Sequence, residues 1–306
     1  MKGNDFLSVR DFSRDEIMET LKLAGEMKEN PGNYLEALKG KTLAMLFEKP
    51  SLRTRTSFDV GIQQLGGFSL YLSPNEIKLG KRESVYDVAK NLERMVQGVM
   101  VRTFDHQIVL DMGEYAAIPI INGLTDLLHP CQAMADYMTI QEKKKGLKGL
   151  KVCYVGDGNN VAHSLMLCGA RLGVDVTVAT PPGYEPNLVV FQEATEDAKE
   201  NGSRIEVTHD PVKGASGADV VYTDTWASMG QEAETEMRKR IFLPYQVNDA
   251  LMAEAKSDAI FMHCLPAHRG EEVTDSVIDA PFSVVYQEAE NRLHAQKAIM
   301  YRLMKS

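Results

Sequence analysis

The chain is poor in cysteine. It carries four thiols in 306 residues, Cys131, Cys153, Cys168 and Cys264, and no two of them stand at CxxC spacing. That pattern argues against a disulfide frame or a zinc site and suits reduced thiols in a cytosolic protein. Long apolar runs are also missing. No stretch approaches the roughly 20 residues of a membrane span, and the start, Met1-Lys2-Gly3-Asn4-Asp5, has no signal-peptide core. The expectation is a soluble, cytoplasmic protein. Positive charge is scarce, with 34 Lys and Arg against 43 Asp and Glu and a net charge of −9. This argues against a nucleic-acid surface, so any anionic ligand must be held by locally gathered arginines rather than by the field of the whole molecule. No long repeat or low-complexity segment interrupts the chain.

What is present is regular alternation. With 44% hydrophobic residues the chain can furnish two cores. Ser13-Arg14-Asp15-Glu16 has the form of a capping box and opens an amphipathic helix to about Asn30. Apolar runs at Thr42–Phe47, Phe68–Leu72, Gly98–Arg102 and Ile118–Asn122 read as strands, with helices after Ser51, from Ser84 to Val96 and from Gln107 to Ala116. A helix from Cys131 to about Lys145 leads into a second block. Its strands are Lys151–Val155, Val174–Ala179, Arg204–Val207, Asp219–Thr223 and Ala259–His263, with helices at Val161–Leu172 and Leu188–Asn201. The fold class expected is α/β: two doubly wound parallel-sheet domains, residues 1–140 and 141–288, joined by interdomain helices, with the active site in the cleft between them.

One stretch organises the rest, Phe47-Glu48-Lys49-Pro50-Ser51-Leu52-Arg53-Thr54-Arg55-Thr56-Ser57-Phe58. It lies at a strand-to-helix turn where Ser51 can cap the helix. Arginines at 53 and 55 oppose the positive end of the helix dipole unless an anion is bound in front of it. The other polar residues that follow strands are Arg102, Asn122, Asn160, Asp224, His263 and Cys264. Ligands of open α/β sheets bind outside the carboxyl ends of the strands, so these residues are the candidate site. Arg102, at the end of a buried strand, is either in an internal ion pair or facing an anion. Gly156-Asp157-Gly158-Asn159-Asn160 superficially suggests a nicotinamide-binding turn but lacks the third glycine. Thr223–Gly230 taken alone is an exposed loop, and Cys264 taken alone is inert packing.

The three segments Ser51-Leu52-Arg53-Thr54-Arg55, His129-Pro130-Cys131-Gln132 and His263-Cys264-Leu265-Pro266, in that order, resemble the aspartate/ornithine carbamoyltransferase family over nearly the whole chain. The resemblance implies that Ser51, Leu52, Arg53 and Thr54 grip the phosphate of carbamoyl phosphate. Arg102 would reach phosphate and carbonyl oxygen, His129 would donate to the carbamoyl oxygen, and Gln132 would accept from the carbamoyl amide. Arg292 would be a further ligand on the last helix, and residues 289–306 would pack back on the first domain. Arg53 and Arg102 beside His129 would depress its pKa. Asp224-x-x-x-Ser228-Met229-Gly230 resembles the ornithine branch. There Asn160 holds the α-carboxylate, Asp224 meets the α-ammonium, and the loop of Ser228 and Met229 closes over the ligand. Cys264 lies near the δ-amine, and the Leu265 carbonyl, held by a cis bond to Pro266, accepts from the carbamoyl amide.

The implied activity is carbamoyl transfer from carbamoyl phosphate to the δ-amine of L-ornithine, giving L-citrulline and phosphate in arginine metabolism, in either the biosynthetic or the catabolic direction. Arg53, Thr54, Arg102, His129, Asp224 and Cys264 form the catalytic set, and no cofactor or metal is required. The family also implies a homotrimer in which the loop of Lys78 enters a neighbour's phosphate site. Two positions depart from the usual pattern: Leu52 replaces a small or threonine residue, and Lys78 stands where ornithine enzymes carry glutamine. The competing readings are a sibling enzyme acting on putrescine, aspartate or an acylated ornithine, and a catalytically silent binding protein.

Overall fold

The computed structural model describes residues 5–73, 79, 82–227 and 232–305. The chain divides into two compact units, Met1–Met138 with Glu290–Ser306, and Thr139–Ala289.

In the first unit four parallel strands, β1 (Thr42–Phe47), β2 (Phe68–Leu72), β3 (Gly98–Arg102) and β4 (Ile120–Leu124), lie in the order β2-β1-β3-β4. β1, β3 and β4 are almost wholly buried, the mark of central parallel strands covered on both faces. The edge strand β2 instead exposes Phe68 and Leu70. Helix α1 (Arg14–Glu29) starts with the expected capping box of Ser13 and Glu16. Helix α2 (Leu52–Gln64) stops at Gly66, whose φ of +82° suits only glycine, and a Cβ there would lie 2.4 Å from the Leu35 carbonyl oxygen. Helices α3 (Val85–Leu92) and α4 (His106–Tyr115) complete the crossovers.

Strand β4 and helix α3 depart from their expected bounds. β4 lies two residues later at both ends; Asn122 is fully buried and donates to the Leu7 carbonyl, and the β3–β4 register skips Gly123. Helix α3 ends before Val96, where Arg94 and Met95 close separate turns onto Asn91 and Leu92.

The division between units falls within α5 (Pro130–Lys144) and within the last helix, Val285–Met304. In the first unit the end of that last helix is tied to α1 and α2: Lys28 Nζ donates to Asn291 (2.8 Å), Lys297 Nζ to Gln64 (3.0 Å) and Arg302 to Glu16 (2.7 Å).

The second unit holds β5 (Lys151–Val155), β6 (Asp175–Ala179), β7 (Ile205–Thr208), β8 (Val220–Thr223) and β9 (Ile260–His263), all parallel, in the order β7-β6-β5-β8-β9. Helices α6 (Asn160–Leu172) and α7 (Leu188–Asn201) follow β5 and β6. Four short helices were not expected from the sequence: α8 (Pro211–Ala215), α9 (Thr235–Phe242), α10 (Asp249–Glu254) and α11 (Asp275–Ile278). At four to eight residues they are too short to show a helical repeat. The last helix is α12. Among the described residues no helix is long and apolar enough to cross a membrane.

Both sheets are doubly wound, so each has a switch point where the connections leave in opposite directions, between β1 and β3 in the first and between β5 and β8 in the second. Crevices outside the carboxyl ends of such strands are where open α/β sheets take ligands.

Candidate active site

In the first unit, the loops after β1 and β3 are fastened to each other. Glu48 N–H donates to the Arg102 carbonyl at 2.8 Å, the Thr103 hydroxyl donates to the Glu48 carboxylate, and buried Lys49 pairs with Asp126 while lying 4.0 Å over the Phe104 ring. On that base Ser51 caps α2, accepting from Thr54 N–H at 3.2 Å. The first-turn N–H groups of such a helix have no partner within it and favour an anion.

Thr54, 1% exposed, receives two guanidiniums on one hydroxyl: Arg102 Nη1 at 3.4 Å and Arg292 Nη2 at 3.3 Å. The buried His129 side chain feels the same cations. Burial, then Arg292, Arg102 and Arg53, hold its pKa well below the usual imidazole range, so it is neutral at working pH. The direction matches the sequence expectation, with burial and Arg292 as added causes. Gln132 accepts from Arg292 Nη1 at 2.5 Å and donates through Nε2 to Asp136 at 2.8 Å. Cys131 is inert packing: burial pushes its thiol up to about 12, and it donates to the Asn122 carbonyl. Leu52, at the first position of α2, is 77% exposed.

In the second unit, the switch-point loops carry Asn159, Asn160 and Asp224. Asn159 Oδ1 caps α6 through Val161 and Ala162 N–H, which leaves its Nδ2 to donate to Asp224 Oδ2 at 2.9 Å. Asn160 is the first helical residue. Cys264 Sγ donates to Asp224 Oδ1 at 3.1 Å, so both oxygens of that nearly buried carboxylate are engaged. The turn before α6 fits glycine for a packing reason. A Cβ at Gly158 would lie 2.3 Å from Pro186 N, and Gly158 N–H donates to the Tyr184 carbonyl.

The bond Leu265–Pro266 is cis, as expected, and Leu265 sits at φ +58°. Its N–H donates to His263 Nδ1 at 2.8 Å, so His263 carries its proton on Nε2 and donates it to Glu272 at 3.1 Å. His263 is therefore a support for the Leu265 backbone rather than a ligand-facing group, and Asn122 is likewise a structural tie to Leu7.

The structure thus brings Ser51, Leu52, Arg53, Thr54, Arg102, His129, Gln132 and Arg292 together in the first unit and Asn160, Asp224, Cys264 and Leu265 together in the second. Lys78, Ser228 and Met229 lie outside the described residues. Sequence reasoning missed two residues. Asp136 stands four positions after Gln132 on one helix face, a spacing that could have revealed it. Arg238, buried, holds Asp157 (2.9 Å), the Trp226 carbonyl (3.0 Å) and Glu234 (2.9 Å), anchoring the segment after Asp224. Its spacing from Glu234 marks a helical ion pair, but no local pattern points to Asp157.

Residues 4–142 match the family description "Aspartate/ornithine carbamoyltransferase, carbamoyl-P binding domain", and residues 148–303 match "Aspartate/ornithine carbamoyltransferase, Asp/Orn binding domain". The ornithine carbamoyltransferase of Thermococcus kodakarensis is 57% identical over 306 residues, covering 99% of this chain and 97% of that protein. A Pyrococcus furiosus protein described as an anabolic ornithine carbamoyltransferase is 55% identical, with 99% and 97% covered. Among solved structures, ornithine carbamoyltransferase from Pyrococcus furiosus superposes with a TM-score of 0.96 at 56% identity, covering 99% of this chain and 97% of that one. The enzyme from Gloeobacter violaceus superposes with a TM-score of 0.89 at 44% identity, with 98% of both chains covered. On these matches and this geometry the chain belongs to the aspartate/ornithine carbamoyltransferase family.

Proposed function

We propose that the chain is an ornithine carbamoyltransferase of arginine biosynthesis, converting carbamoyl phosphate and L-ornithine to L-citrulline and phosphate. The observation that carries this reading is the convergence of Arg102 and Arg292 on the Thr54 hydroxyl, at the start of α2 and beside a neutral His129. A protein of net charge −9 concentrates cations there because an anion completes the site. The phosphate is taken by the α2 N-terminus, with Ser51, Leu52, Arg53 and Thr54. Arg102, His129 and Thr54 stand where the carbonyl oxygen gains charge during attack. Because His129 is neutral, it donates a ring N–H and is a poor base.

On the amine side Asn160 takes the α-carboxylate and Asp224 the α-ammonium, with Cys264 held against Asp224 near the δ-amine. The free δ-amine attacks the carbamoyl carbon, the C–O bond to phosphate breaks, and phosphate leaves with its charge already paired. The Leu265 carbonyl and Gln132 Oε1 accept from the carbamoyl amide. The proton lost by the attacking nitrogen leaves on the phosphate, so atoms balance in this acyl transfer without a cofactor.

The reading extends to a cytoplasmic homotrimer, in which Lys78 reaches a neighbour's phosphate and Ser228 and Met229 cover ornithine. The exposed apolar edge of β2, with Phe68 and Leu70, and the cationic segment around Lys78, Lys81 and Arg82 support an interface between copies. The test is citrulline formation by purified protein with ornithine, beside putrescine and aspartate as acceptors. Ornithine should be carbamoylated and the other two left nearly untouched. Faster turnover of either competitor would overturn the acceptor assignment.

A further inference from the structure

A glutamine amide presents an oxygen or an NH2 group of almost the same size, and which end faces a ligand is open unless its neighbours decide it. At Gln132 they do. The Arg292 guanidinium can only donate, and it lies 2.5 Å from Oε1; the Asp136 carboxylate can only accept, and it lies 2.8 Å from Nε2. One hydrogen bond would leave the amide plane free to swing about that contact. Two, on opposite ends of the group, fix both its plane and its polarity. Asp136, Gln132 and Arg292 are 0%, 2% and 2% exposed, so bulk water does not compete for either end.

The fixed polarity matters because of what else Arg292 touches. Its second nitrogen donates to the Thr54 hydroxyl, which Arg102 also contacts. The oxygen of Gln132, rather than its NH2, is thereby the end held against the anion-binding groups. An acyl phosphate arriving there meets an acceptor. The amide of a carbamoyl group can donate to it; the methyl of an acetyl group of similar size cannot. An acceptor behind the amide also polarises it and strengthens Oε1 as an acceptor.

We propose that Asp136 is the positioning residue that makes this half-site select carbamoyl phosphate over acetyl phosphate. It acts through Gln132, and the inference rests on the reading that Gln132 faces the carbamoyl amide.

The experiment uses full-length protein in the citrulline-forming assay. It measures the KM for carbamoyl phosphate and the competitive inhibition constants of acetyl phosphate and inorganic phosphate, for the parent, Asp136→Ala and Asp136→Asn. A site built to bond a substrate N–H discriminates strongly against an analogue lacking it, so the parent should prefer carbamoyl phosphate. In Asp136→Ala that preference should fall about tenfold, the scale of one buried hydrogen bond, while inhibition by inorganic phosphate stays the same. Asp136→Asn keeps one acceptor oxygen but can also present a donor, so its preference should fall by about threefold.

A purely structural role predicts that all three ligands weaken together at constant preference, and that result overturns the inference. Preference retained in both variants overturns it too and leaves the reading of Gln132 standing. A parent with no preference overturns both. Should Asp136→Ala fail to fold, the Asp136→Asn ratio decides alone: an unchanged ratio contradicts the proposal.

Discussion

The Cys264 thiol donates to Asp224 Oδ1 at 3.1 Å, joining the end of β9 to the end of β8. With Asn159 on the other oxygen, the carboxylate is oriented before any ligand arrives. Serine can make the same hydrogen bond but lacks the thiol's acidity and size. Cys264→Ser should therefore alter the pH dependence of ornithine binding and leave carbamoyl phosphate binding as it is. Calorimetric titrations from pH 6 to 9 check this; superimposable profiles for mutant and parent would show that the thiol only fills space.

Arg238 offers a second test, because it ties Trp226 to the turn at Asp157. Burial raises the Asp157 carboxyl pKa and the Arg238 guanidinium pulls it back. Arg238→Met leaves that carboxylate buried without its cation, which should cost about 3–5 kcal/mol of stability. A carboxyl whose folded pKa lies above its unfolded value binds more protons when folded, so the variant should lose stability as pH rises above about 4. Ornithine KM should rise while carbamoyl phosphate KM holds. Urea unfolding at several pH values, with steady-state kinetics, reads both effects.

Along with His129, His294 contributes to the acid side. Burial, with Lys297 and Lys28, lowers it from the model-compound value of 6.5 to about 4, Glu290 opposing. Below its unfolded pKa the unfolded chain takes up the proton first, so stability is lost as pH falls from about 6.5 to about 4. His294→Gln should flatten that loss over the same window. Unfolding midpoints at pH 4 to 7 measure it, and an equal slope in parent and variant would assign the acid lability to other groups.

Much of this was legible in the chain because buried parallel strands are continuous apolar runs. All nine described strands were expected within two residues or so, and their polar ends pointed to Ser51, Arg53, Arg102, Asp224 and Cys264. β4 lies two residues later than expected, because tertiary bonding of Asn122 to Leu7 carries the strand past it. The α8 to α11 helices escaped because each is shorter than the window that reveals a 3.6-residue period. His263 stood at a strand end like the ligand-facing residues, and only the pairing with Glu272 showed it to be a support. Arg238 and Asp157 are 81 positions apart, so no local pattern could join them.

Sharing of sites between copies is tested by refolding a mixture of two inactive variants, Arg53→Ala and a chain neutralised at Lys78, Lys81 and Arg82. If the loop serves a neighbour, about a quarter of the sites regain both intact parts and activity returns. A loop serving its own chain gives no recovery.

The central claim, that one reaction joins the Arg53 half-site to the Asp224 half-site, is most directly tested by calorimetry with a single compound carrying a phosphonoacetyl group on the δ-nitrogen of ornithine. The parent should bind it far more tightly than either ornithine or phosphonoacetamide. Arg53→Ala and Asp224→Ala should each weaken it by about 2–5 kcal/mol, as expected when a buried charged partner is removed. Affinity no better than that of ornithine alone, or indifference to either substitution, would contradict it.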